Sequence, residues 1–121
     1  MNWVFVAIGA MVGGLGRYAL SLSFTDTSWL TSTLLVNTIG SGLIGAAIVL
    51  LEAQSLPENY RLLLVVGVLG SFTTFSTFSM EVIQRGLAGE WLNAGLHAMV
   101  SMLVCLCACA LGYIIARQLV N

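Results

Sequence analysis

Apolar residues along this chain do not alternate with polar ones; they run on. Four such runs, at residues 2–24, 29–52, 60–85 and 90–118, are separated by short polar links. Leu62 to Met80 carries no charge, and neither does Trp91 to Ala116, which holds His97. About 20 apolar residues in a helix are enough to cross the hydrocarbon layer. Lipid offers the backbone no hydrogen bonds, so runs of this length are expected to be helices. The pattern predicts an all-α membrane protein: a single transmembrane domain over residues 1–121 with four spans, the third broken near residues 70–75. The links are TDTS (25–28), EAQSLPENYR with Pro57, and RGLAGE (85–90).

Composition strengthens this reading. Of 121 residues, 59% are hydrophobic and 7% charged, and the mean hydropathy is +1.00. A soluble domain carries about 25% charged residues, so this chain must face lipid over most of its area. The first run lacks the basic leader and cleavage site of a signal peptide and is read as a retained helix. With net charge −1 and four scattered arginines, nucleic acid is excluded as a partner. No acid–base pair, nucleophile–base pair or metal-ligand cluster is apparent, so an enzyme is not expected. Cys105, Cys107 and Cys109 are two apart on one helix, point to different sides, and read as small packing residues.

Arginine placement bears on topology, which follows the Lys and Arg of short loops. There is no lysine; Arg61 and Arg117 fall near one side, Arg17 and Arg85 near the other. So even a split predicts insertion in both orientations and an antiparallel homodimer, with its two-fold axis in the membrane plane. Small residues four apart, such as Gly9/Gly13 and Ser41/Gly45, are expected to let helices approach closely.

Polar residues at membrane depth are costly and usually face a protein interior or a wet path. Those here are Arg17, Asn37, the stretch GSFTTFSTFS (70–79), Glu81, His97 and Ser101. Gly70 and the threonines after it are poor material for an unbroken helix. A break there would strand carbonyls near the bilayer centre, and a cation is one partner that transporter folds use for such groups. Phe75 and Phe78, three apart, share a helical face. Their ring edges are electropositive, and neighbouring hydroxyls with the Asn37 amide add donors. That combination suits a small, strongly hydrated anion that must bind and still leave.

GGLGRY (13–18), NTIGSGLIG (37–45) and GSFTTFSTFSME (70–81) resemble the signature of the small Fluc-type fluoride channels, the CrcB family. The resemblance covers the chain in length, span number and motif order. It implies a fluoride-selective channel of the bacterial cell membrane that exports F⁻ and protects against its toxicity. It further implies an antiparallel homodimer with two pores and a central structural Na⁺. By motif position, backbone carbonyls of Gly70 and Thr73 would hold that sodium. Phe75 and Phe78 would be pore phenylalanines, Asn37 the pore amide, Ser76 and Thr77 part of a hydroxyl track, and Ser101 a helix-four addition to it. Arg17 and Glu81 match family positions of structural or vestibule type. Phe72, often aliphatic in the family, is expected to pack beside the break.

The sharper rival is a proton-coupled exporter of fluoride or another small ion, with Glu81 as the titrating group. Helix one offers no carboxylate for that role. A haem-anchoring subunit would have to ligate through its lone histidine across a dimer.

Overall fold

The computed structural model describes residues 1–27 and 29–121; Ser28, the last residue of the TDTS link, lies outside the described residues. Among the described residues every regular element is helical. Helix α1 is Asn2–Ser23 and α2 is Ser32–Ala53. The third span, Glu58–Leu87, is a composite. It opens with a turn, α3 (Glu58–Arg61), widens into a π-helical run over Leu62–Leu69, tightens to α4 (Gly70–Phe72), and resumes as α5 (Phe75–Leu87). Helix α6, Trp91–Val120, is the fourth span. All four spans are long and apolar enough to cross a membrane, and the protein is a multi-pass membrane protein.

The expected helix bounds shift by a few residues, each for a local reason. Helix α2 begins after Thr31 because that side chain caps it, accepting from the Leu34 N–H at 3.1 Å. The upstream link is tied to it by the Ser32 N–H, which donates to Asp26 at 2.6 Å. Residues 29–31 therefore belong to the link rather than to the helix. Between α5 and α6 the chain reverses at Gly89, whose φ of 89° is open to glycine and strained for other residues.

The helices form two tight pairs. Helix α1 lies along the π run and α4, and α2 lies along α6, with α5 packing on α6. Glycine allows both approaches. A Cβ at Gly67 would come within 2.7 Å of the Gly9 Cα, and one at Gly112 would strike the Gly42 carbonyl. Gly45 similarly meets the Cys109 carbonyl. The packing that these glycines allow needs no hydrophobic drive, which lipid would not supply. The core of the single chain is correspondingly small: Val36, Val49, Leu69, Ala94 and Ala116 are its buried apolar residues. Trp3, Leu22, Leu103 and Leu119 are exposed, as expected of faces turned to lipid or to another membrane chain.

Candidate functional site

The third span breaks at two residues, Thr73 (φ −85°, ψ 156°) and Thr74 (φ −149°, ψ 115°), both extended. The break is narrower than the sequence suggests. Gly70 stays helical (φ −63°, ψ −31°), so glycine flexibility is not what opens the helix. Asn37 on α2 opens it instead. Its Oδ1 accepts the Thr74 N–H at 2.7 Å and its Nδ2 donates to the Thr74 carbonyl at 2.9 Å. One side-chain amide thus offers Thr74 both halves of a backbone pairing and competes with the helix. Downstream, the Thr74 hydroxyl caps α5, accepting from the Thr77 N–H at 3.3 Å.

These two bonds redirect the N–H groups that would otherwise serve particular carbonyls. In a continuous helix the Thr74 N–H would bond to Gly70 and the Thr77 N–H to Thr73. Both are taken, by Asn37 and by the Thr74 hydroxyl. The Ser71 carbonyl has a different partner, the Arg17 Nε at 3.2 Å, and that of Leu69 receives the Thr73 N–H at 3.1 Å and its hydroxyl at 3.0 Å. Gly70 and Thr73, the two positions expected to present carbonyls to a cation, are thus relieved of their helical donors by named side chains.

Two cavities meet at the break. The first, about 330 Å³, is bordered by Asn37, Thr74, Phe75, Phe78 and Ser101, with Met102 and Cys105 on the α6 side. No charged residue lines it. The Phe75 and Phe78 rings stand 5.4 Å apart between centroids, tilted by 48°. Phe75 is 75% exposed in the single chain, like the other apolar residues turned to lipid or to another membrane chain. Ser101 is the reverse: 5% exposed, with a buried Oγ that has no hydrogen-bond partner among the described residues. A buried hydroxyl without a partner costs about 1–3 kcal/mol, which a ligand accepting its proton would offset.

The second cavity, about 340 Å³, is lined by Arg17, Tyr18, Ser21, Thr33, Thr74 and Thr77 among others. Thr74 borders both cavities and separates them. Thr77 therefore faces the arginine side rather than the phenylalanine side. Ser76 is joined to the same cluster through the Thr74 hydroxyl at 3.3 Å. The six expected pore residues do not share one chamber. Asn37, Phe75, Phe78 and Ser101 do, while Thr77 lines the cavity on the other side of Thr74 and Ser76 lines neither, reaching the cluster only through the Thr74 hydroxyl. Phe72 lies off both linings, its ring 3.8 Å from where a Gly16 Cβ would stand, as expected of a packing residue.

Glu81 belongs to a polar group only partly foreseen. Its Oε2 accepts from the Thr31 hydroxyl at 3.1 Å and lies 3.7 Å from His97 Nε2. His97 is 2% exposed, and its ring lies 6.4 Å from that of Phe78 and 6.5 Å from that of Trp29. Thr31 was missed as a site residue, although a threonine just before an apolar run is a capping signal.

Comparison with known proteins gives the chain a family. The family model described as CrcB-like protein, Camphor Resistance (CrcB), matches residues 4–113. A protein of Roseiflexus sp. named fluoride-specific ion channel FluC is 40% identical over 124 residues, covering 98% of this chain and 99% of that one. Proteins of the same name from Idiomarina loihiensis and Paramagnetospirillum magneticum are 40% and 36% identical, over 89% and 96% of this chain and 86% and 95% of theirs. With the match reaching all four spans and crossing the break within the third, the chain belongs to the CrcB family.

Proposed function

We propose that the protein is a fluoride channel of the bacterial cell membrane, releasing F⁻ down its electrochemical gradient. The observation that carries this reading is the uncharged cavity at the break. It offers two tilted phenylalanine rings, an unpartnered Ser101 hydroxyl and the Asn37 amide, which spends one of its two Nδ2 hydrogens on Thr74. Ring edges and neutral donors can replace part of a small anion's hydration without the deep binding that an arginine would give. Arg17, on the far side of Thr74, raises the local anion concentration without standing in the narrow part. The names of relatives across the whole chain length support fluoride as that anion.

The working unit in this reading is an antiparallel homodimer with two pores, supported by the even arginine split and the wide apolar faces left exposed. Sodium fits the break. Backbone carbonyls suit a hard monovalent cation, and those of Gly70 and Thr73 have lost their helical donors. A pair from each of two subunits would hold it, and the ion would fix the two broken helices against each other. Asn37 and the Thr74 hydroxyl keep the helical donors away from these two carbonyls.

Liposomes loaded with potassium fluoride provide the test. Valinomycin alone should release fluoride from liposomes containing the protein and leave internal pH unchanged. Fluoride release that requires a proton gradient would replace the channel with the exchanger, and absence of release would refute both. Replacing sodium throughout purification by a large organic cation should abolish the flux if the ion is structural.

A further inference from the structure

Two sulfur side chains line the phenylalanine cavity, and anion passage gives neither of them a role. Cys105 and Met102 both border it, three residues apart on α6 and so on one helical face. The other two cysteines of CLCAC are outside its lining, and Cys107 is exposed elsewhere on the helix. Cys105 lies 4.0 Å from the Thr38 hydroxyl. That hydroxyl commits its own proton to the Leu34 carbonyl at 2.7 Å, so the thiol is left as the donor in a weak contact. One turn away, the Ser101 Oγ is buried and unpartnered at the same cavity.

We propose that this wall of the cavity is a binding site for a soft d¹⁰ monovalent cation, Ag⁺ or Cu⁺, held by the Cys105 thiolate and the Met102 thioether. Thiolate and thioether are the ligands that select such ions. Charge decides the matter in an apolar chamber. The cation displaces the thiol proton to water, the new sulfur–metal bond is neutral as a unit, and no net charge is left in the cavity. A hard cation keeps its charge there, with no carboxylate in the lining to balance it. Methionine supplies the second sulfur with little strain, since its side chain is long and adaptable. The Ser101 oxygen is free to turn a lone pair toward the ion. Bound there, the metal stands beside Phe75 and Phe78 and blocks the route; this part of the inference rests on the channel reading above.

The experiment uses the full chain in the Cys107→Ala/Cys109→Ala background, treated with silver nitrate in chloride-free buffer and then passed through gel filtration. Native mass spectrometry counts retained silver, and fluoride efflux is measured on the same protein in liposomes. One silver per chain is expected, with loss of efflux. Adding Cys105→Ala should remove the retained silver, and efflux from that variant should be the same with and without treatment. Met102→Leu should lose silver on filtration that the background retains. Equal silver retention after Cys105→Ala overturns the site. Silver held through Cys105 with undiminished efflux overturns its placement on the path. If untreated protein passes no fluoride, the channel reading fails, and the silver count alone still decides the site.

Discussion

The pairing between Asn37 and Thr74 can be tested by replacing the amide with a side chain of similar size, Asn37→Leu. Two hydrogen bonds are lost, at 2.7 and 2.9 Å. Their costs differ. The Thr74 carbonyl is the first acceptor of α5 and keeps its helical donor, so losing Asn37 takes one of two partners from it. The N–H has no second partner while the break persists. An unpaired buried donor costs about 1–3 kcal/mol, roughly one to two decades in the folding equilibrium. The chain can escape this cost by closing the helix, returning the Thr74 N–H to the Gly70 carbonyl. That escape consumes a carbonyl assigned to the cation. Asn37→Leu should therefore unfold at lower denaturant in detergent titrations, or else show a continuous third span with no sodium dependence. Either way fluoride efflux is lost. Asn37→Asp keeps an acceptor for the N–H but adds a negative charge beside the anion route, so stability should fall less than in Asn37→Leu while efflux still fails. If Asn37→Leu unfolds within about 0.5 kcal/mol of the parent, the scatter of an ordinary surface change, and conducts fluoride normally, the reasoning is wrong.

Other predictions follow from the same geometry. Phe75→Ile and Phe78→Ile should assemble with a stability loss under about 1.5 kcal/mol, as conservative apolar swaps do, yet pass little fluoride, while Phe72→Ile keeps its flux; equal flux in all three would return the rings to packing. Ser101→Ala should leave stability unchanged or raised in unfolding titrations, because it removes a buried hydroxyl without a partner, and should still reduce efflux. Gly112→Val should fail to assemble, since its side chain meets the Gly42 carbonyl, whereas Gly14→Ala, with nothing within 4 Å of the added Cβ, should gain up to about 1 kcal/mol of helix stability; the elution profile and thermal unfolding of each separate the two. Adding lysines to the loop at residues 54–59 should orient all chains one way and abolish activity unless an oppositely biased copy is co-expressed; full activity in uniformly oriented chains would rule out the antiparallel dimer.

Hydropathy alone was enough to place four spans, because lipid removes every alternative to a helix for an apolar run. The break in the third span was legible as well, from Gly70 and the hydroxyls after it, since such residues are costly inside a helix. Its position was not. Gly70 remained helical and the opening fell at Thr73 and Thr74, because Asn37, 37 residues away in sequence, supplies a competing partner there. No local propensity contains that information. The π-helical run over Leu62–Leu69 was equally invisible, as nothing in LLLVVGVL distinguishes a π from an α winding, and the winding accompanies the close approach of Gly9 to Gly67. The division of the polar residues between two cavities on either side of Thr74, and the meeting of Thr31, Glu81 and His97, also required the helices to be packed. Sequence spacing fixes which face of one helix a side chain occupies; only the packed bundle decides which other helix that face meets, because the choice depends on glycine contacts and hydrogen bonds between distant segments.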